Sequence, residues 1–117
     1  MKKTKMLKKN YEFRKVLSRG KYYSGRCIEA FILNNNEKCN FLGIAINTKI
    51  AKAVGRNKIK RLIRENYKVL ENEILYGKSI VFLWKKSISV ENATFVNIKN
   101  DMEFIFDKAN IKGNKGI

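Results

Sequence analysis

Cutting a bond requires a group that moves a proton, attacks, or holds a metal, and this sequence is poor in all three. It has no histidine, and its ten Asp and Glu residues are scattered as singletons apart from Glu71/Glu73 and Asp101/Glu103. At a helical spacing of two, the members of each pair fall on different faces and make no acid/base dyad. Cys27 and Cys39 lack the CxxC spacing and the histidines of a zinc site, so they read as reduced thiols. Phosphate binding is the chemistry for which residues abound. From Lys49 to Arg64 the chain runs KIAKAVGRNKIKRLIR without one acidic residue. Arg and Asn at the start of a helix suit phosphate oxygens, because a planar guanidinium grips two oxygens and the free backbone N–H groups add partial positive charge. The candidate polyanion-binding residues are Lys49, Lys52, Arg56, Asn57, Lys58, Lys60, Arg61, Arg64 and Lys68.

A helix must position them. Ile59, Leu62, Ile63, Tyr67, Leu70 and Ile74 fall in one stripe at about 100° per residue, ended by Gly77, and Lys60, Arg61, Arg64 and Lys68 occupy the sector beside it. Around this helix the pattern predicts a short helix over Tyr11–Arg19 with Asn10 as N-cap, stopped at Gly20. A strand over Tyr22–Leu33 follows, then a turn at Asn34–Asn36, and a second strand, Phe41–Ile46, expected to pair with the first as a hairpin. The continuous apolar run Ser79–Trp84 fits an inner strand covered on both faces. A last helix is expected over Glu91–Ala109. The order α-β-β-α-β-α gives an α+β single-domain sandwich of helices on a small mixed sheet, with one domain over 1–110 and a mobile basic tail over 111–117.

The whole chain shares the helix's sign. Its 117 residues carry 26 Lys plus Arg against 10 Asp plus Glu, a formal net charge of +16. Such a chain repels itself unless something anionic covers it. With 44% apolar residues spread over strands and a core, it does not read as a membrane-active peptide. No stretch approaches the roughly 18 apolar residues of a membrane span, and the Lys-rich start has no apolar run behind it. The expected location is the cytoplasm, and the expected partner is a polyanion: nucleic acid, an anionic membrane face or an acidic protein could each cover the charge. A ribosomal or architectural RNA-binding protein with no role in cleavage fits the same charge and size.

At the basic helix the sequence resembles the protein subunit of bacterial ribonuclease P. The resemblance rests on Ala53-Val54, Arg56-Asn57, Lys60-Arg61 and Arg64-Glu65, and extends to Leu7-Lys8-Lys9-Asn10, Phe13, Gly20 and Phe41-Leu42-Gly43. It departs locally: Asn47-Thr48-Lys49 stands for Ser-Lys-Lys, Ala51 for a glycine, Lys58 for the second arginine of Arg-Asn-Arg, and Leu17 for an aromatic. The resemblance implies the ribosomal protein S5 domain 2-like fold and a division of labour. A ribonuclease P RNA cleaves the 5′ leader from precursor tRNA, and the protein binds that RNA through the basic helix. The leader is received in a cleft at Phe13, Arg14, Leu17 and Phe31. Mg²⁺ is expected for the RNA-containing holoenzyme and no cofactor held by protein side chains alone. No membrane and no obligate protein partner are implied.

Overall fold

A computed structural model describes residues 4–113. In chain order its elements are β1 (Thr4–Met6), α1 (Asn10–Arg19), β2 (Lys21–Ser24), β3 (Ile28–Asn34), β4 (Asn40–Ala45), α2 (Ala53–Leu70), β5 (Lys78–Trp84) and α3 (Phe95–Ala109). The five strands form one mixed sheet in the order β1-β4-β5-β3-β2. Strand β5 takes the centre because its apolar run has no polar face to turn to water: Ile80, Val81, Phe82 and Trp84 are all buried. It runs antiparallel to β3 and parallel to β4.

That placement overturns the expected hairpin between the strands around Phe31 and Phe41. The Asn34–Asn36 segment does turn the chain, with Asn36 at φ 58 and the Asn35 side chain accepting from the Glu37 N–H at 2.8 Å. It carries the chain past the position β5 later fills, so β3 and β4 flank β5 without pairing. The single strand expected over Tyr22–Leu33 is two antiparallel strands, β2 and β3, broken by Gly25–Cys27. Strand β1, paired in parallel with β4, was not anticipated. The observed order is β-α-β-β-β-α-β-α, although the α+β sandwich itself stands.

Smaller corrections concern helix ends. Lys9, not Asn10, is the N-cap of α1, and the Glu12 carboxylate satisfies the helix start by accepting from the N–H groups of Lys9 at 2.9 Å and Lys8 at 3.2 Å. Those two bonds hold its carboxyl below the usual range. The long helix ends at Leu70 and a 3-10 turn over Glu71–Glu73 takes Ile74 out of it. The last helix begins at Phe95, not Glu91, because the Thr94 hydroxyl accepts the Asn97 N–H at 3.1 Å. Ile111, expected to open a mobile tail, is buried. Its carbonyl accepts the Leu75 N–H at 2.7 Å, and Lys112 pairs with Asp107 at 3.0 Å. The rest of the expected tail, 114–117, lies outside the described residues.

Helices α2 and α3 cover one face of the sheet. Ile28, Ala30 and Ile32 of β3 and Ile80, Phe82 and Trp84 of β5 pack there with Ile59, Ile63 and Tyr67 of α2 and Ile98, Met102, Ile105 and Phe106 of α3. Each large side chain so buried contributes about 1.5–3 kcal/mol. Helix α1 lies on the other face with far less burial: Leu7, Val16 and Val81 are covered, while Phe13, Leu17, Phe31, Leu33 and Leu83 stay partly open.

Candidate nucleic-acid interface

The start of α2 is built for an anion. Its N-cap is Lys52, which supplies no side-chain cap, and the first turn contains no acidic residue, so the positive end of the helix dipole is left uncompensated. The loop before it is folded on itself: Asn47 Oδ1 accepts the Lys49 N–H at 2.8 Å. Arg56 Nη1 donates to the carbonyls of Ala51 at 2.6 Å and Thr48 at 3.2 Å. Arg56 therefore braces the loop through one of its terminal nitrogens. Ala51 is accommodated because Gly55 has no side chain; a Cβ there would lie 3.0 Å from the Ala51 methyl and 3.2 Å from Val90 Cγ2.

Lys49, Lys52, Asn57 and Lys58 are exposed around this helix start, and Arg61, Arg64 and Lys68 are exposed along the helix, with Lys60 half-buried beside the apolar stripe. Arg61 is partly engaged by Glu65 one turn on, at 3.1 Å. An exposed pair of that kind is worth about 0.3–0.5 kcal/mol and yields readily to a phosphate. The structure thus brings the candidate basic residues onto one helix and its leading loop, with Arg56 turned back toward that loop.

The second candidate surface is the sheet face that α1 covers only in part. Phe13 lies against the backbone of β4 because Gly43 has no side chain: a Cβ at Gly43 would sit 2.6 Å from Phe13 Cε1. Leu17 packs on the same cluster as Phe13 and Phe31, and Arg14, three residues before it on α1, is exposed beside it. Sheet register sets Phe31 in one row with Tyr22 and Val81, and Glu29 in the next row with Ser24, Leu83 and Ala45. The Tyr22 and Phe31 rings are 5.2 Å apart, tilted by 54°. Phe13, Leu17, Phe31, Leu83 and Ala45 are all half-buried, so the floor of this cleft is apolar and accessible.

Two features of the site depend on contacts the sequence alone does not reveal. The Tyr22 hydroxyl donates to the Glu29 carboxylate, which raises the tyrosine pKa because the bond favours the protonated phenol. Asp101, buried on α3, accepts the backbone N–H groups of Arg26, Cys27 and Ile28 at 3.0, 2.7 and 3.1 Å. It thereby fixes the turn from which β3 starts. Burial and the Asp101 charge push the Cys27 thiol up, making it a poor nucleophile. A tyrosine seven residues before a glutamate signals a pair only once strand register is known, and Asp101 lies in another helix.

Among the described residues no group of three His, Cys, Asp or Glu side chains could hold a metal, and no helix is long and apolar enough to cross a membrane. An uncompensated basic helix start and an accessible aromatic sheet face on an α+β sandwich define an RNA-binding domain. The family model described as Ribonuclease P matches residues 1–110. The ribonuclease P protein component of Clostridioides difficile is 34% identical over 110 residues, covering 93% of this chain and 95% of that protein. That of a Thermoanaerobacter species is 37% identical over 102 residues, covering 87% of this chain and 86% of its own. The Staphylococcus aureus RNase P protein superposes with a TM-score of 0.80 at 32% identity, over 92% of this chain and 97% of that one. The chain belongs to the ribonuclease P protein family. It is a protein subunit of an endoribonuclease that acts in tRNA 5′ processing.

Proposed function

We propose that the α2 surface holds the ribonuclease P RNA and that the α1–sheet cleft receives the single-stranded 5′ leader of precursor tRNA, while cleavage is carried by the RNA. The observation that carries this reading is the pairing of an acid-free basic helix start with a separate, half-open aromatic cleft. Lys52, Asn57, Lys58, Lys60, Arg61, Arg64 and Lys68 meet backbone phosphates, which suits a folded RNA of any local sequence. Phe13 and Phe31 offer ring faces on which leader bases stack, with Leu17 giving apolar contact and Arg14 a phosphate partner at the rim. Mg²⁺ does not fit this chain's own donor set, since among the described residues no three carboxylate or thiol side chains gather, and Glu12, Asp101, Glu65 and Asp107 are engaged in caps and pairs; in this reading the metal ions belong with the RNA. The chain's part is electrostatic: its cations replace diffuse counterions where leader and RNA phosphates converge. Action in the cytoplasm agrees with two free cysteines.

The test is a magnesium titration of leader cleavage with RNA alone, protein alone and both together, in matched monovalent salt. Both together should cleave at a lower magnesium midpoint than RNA alone, and protein alone should be inactive. Cleavage by nuclease-free protein would overturn the division of labour. An unchanged midpoint would remove the electrostatic role.

A further inference from the structure

Glu29 stands out by its sign, as the single acidic residue in the five described strands of a chain with a net charge of +16. It lies on the open face of the sheet, two residues before Phe31 on the same strand. A carboxylate on a surface that receives a polyanion repels phosphate, so whatever comes close to it is a base edge and not the backbone. Its orientation is fixed: the Tyr22 hydroxyl donates to it while the Tyr22 ring flanks Phe31 at 5.2 Å. That hydroxyl takes one of about four lone-pair positions of the carboxylate and leaves the others for a second donor.

We infer that Glu29 is a specificity-determining residue of the cleft, accepting a hydrogen bond from the amine-bearing edge of the leader nucleotide that stacks against Phe31. It thereby favours adenine, cytosine or guanine over uracil at that one position. Adenine, cytosine and guanine each present an exocyclic NH₂ group, and guanine adds a neighbouring ring N–H. Uracil presents only a ring N–H between two carbonyl oxygens, whose partial charges face the carboxylate with like sign. Tyr22 is a positioning residue: it holds the acceptor before the base arrives, which lowers the ordering cost of the contact. The inference rests on the leader-binding reading and adds the identity of the base to it.

The experiment measures equilibrium binding by the reconstituted protein–RNA holoenzyme. Its ligands are precursor tRNAs in which each leader nucleotide in turn is A, C, G or U, with mature tRNA as reference. At one leader position uracil should weaken binding about fivefold or more. Glu29→Gln keeps the shape and still accepts from Tyr22, but its amide also donates to a uracil carbonyl. The uracil penalty should then shrink to within about twofold, while precursor still binds more tightly than mature tRNA. Tyr22→Phe, which keeps the ring and frees the carboxylate, should reduce the penalty part of the way. Melting curves matching the parent protein confirm that the variants are folded. If precursor binds more tightly than mature tRNA but no position disfavours uracil, or if the penalty survives in Glu29→Gln, the role of Glu29 is wrong and leader binding stands. Equal binding of precursor and mature tRNA would overturn both.

Discussion

Phe13 occupies its place because Gly43 vacates it, and its ring stays half-buried. The stacking role predicts that Phe31→Ala or Phe13→Ala in the holoenzyme weakens precursor binding by about 1–3 kcal/mol per lost base stack, with mature tRNA affected much less. Equal losses for both ligands, or a large fall in melting temperature, would assign the rings to packing alone. Tyr67, on the opposite face, is a different kind of residue. Fully buried, with its hydroxyl 2.7 Å from Thr4 Oγ1, it is pushed up to about 12, first by burial. The fold therefore favours the neutral phenol over the phenolate. That stabilisation is fully present below the ordinary tyrosine pKa of 10.0 and is lost as pH rises through the folded value. Tyr67→Phe should cost about 1 kcal/mol at neutral pH through the lost hydrogen bond. It should also flatten the decline in stability between pH 10.0 and about 12, as read by urea denaturation at stepped pH. A decline as steep as in the parent would show that Tyr67 does not carry the alkaline limb.

At the scale of elements, α2 combines the two patterns most legible in a sequence: an apolar stripe of period 3.6 and an acid-free basic run, both local in the chain. Strand β5 is legible for the same reason, since a continuous apolar run has few homes in a fold of this size. What escaped depends on distant partners. The break between β2 and β3 is fixed by Asp101, more than seventy residues away, and the one local sign of it, the Ser24-Gly25 dipeptide, sits inside an otherwise strand-like run. Strand β1 is three residues long, below the length at which a period of two shows. Pairing of β3 with β5 instead of β4 follows from competition for the sheet centre, a property of all strands at once. The site divides likewise: the basic helix was readable from its residues, the cleft only through a family resemblance, and the Tyr22–Glu29 pair needed the register of two strands. Helix α2 carries its own prediction. Replacing Lys60, Arg61 and Arg64 together by Ala should weaken binding to the ribonuclease P RNA and lower the salt dependence by up to about one unit of log–log slope per lost phosphate contact. Removing the apolar stems and the Arg61–Glu65 pair should cost little stability, because these side chains are exposed or half-buried. Unchanged affinity and slope in a folded triple variant would move the RNA contact elsewhere.

Taken whole, the molecule places its two candidate surfaces on different sides of one rigid sheet: α2 belongs to the layer behind it and the cleft to the face in front. A body with a principal extent of 42 Å can therefore contact a folded RNA and a single strand together, with no hinge needed between the two tasks. The same sheet has a consequence for how the protein comes into being. Its central strand is the last to leave the ribosome: β3 and β4 are made first, and neither can join the other until β5 lies between them. A nascent chain that has reached Gly77 thus holds two separate strand pairs, β2–β3 and β1–β4, without the strand that joins them, and an amphipathic helix without a complete sheet to cover. At translation speeds of about 5–20 residues per second, adding the missing strand takes roughly 0.4–1.4 s, during which this basic, half-made chain lies beside ribosomal and messenger RNA with its basic helix already synthesised and its fold not yet closed. Folding is then a race between the arrival of seven residues, Lys78–Trp84, and capture by whichever RNA is nearest.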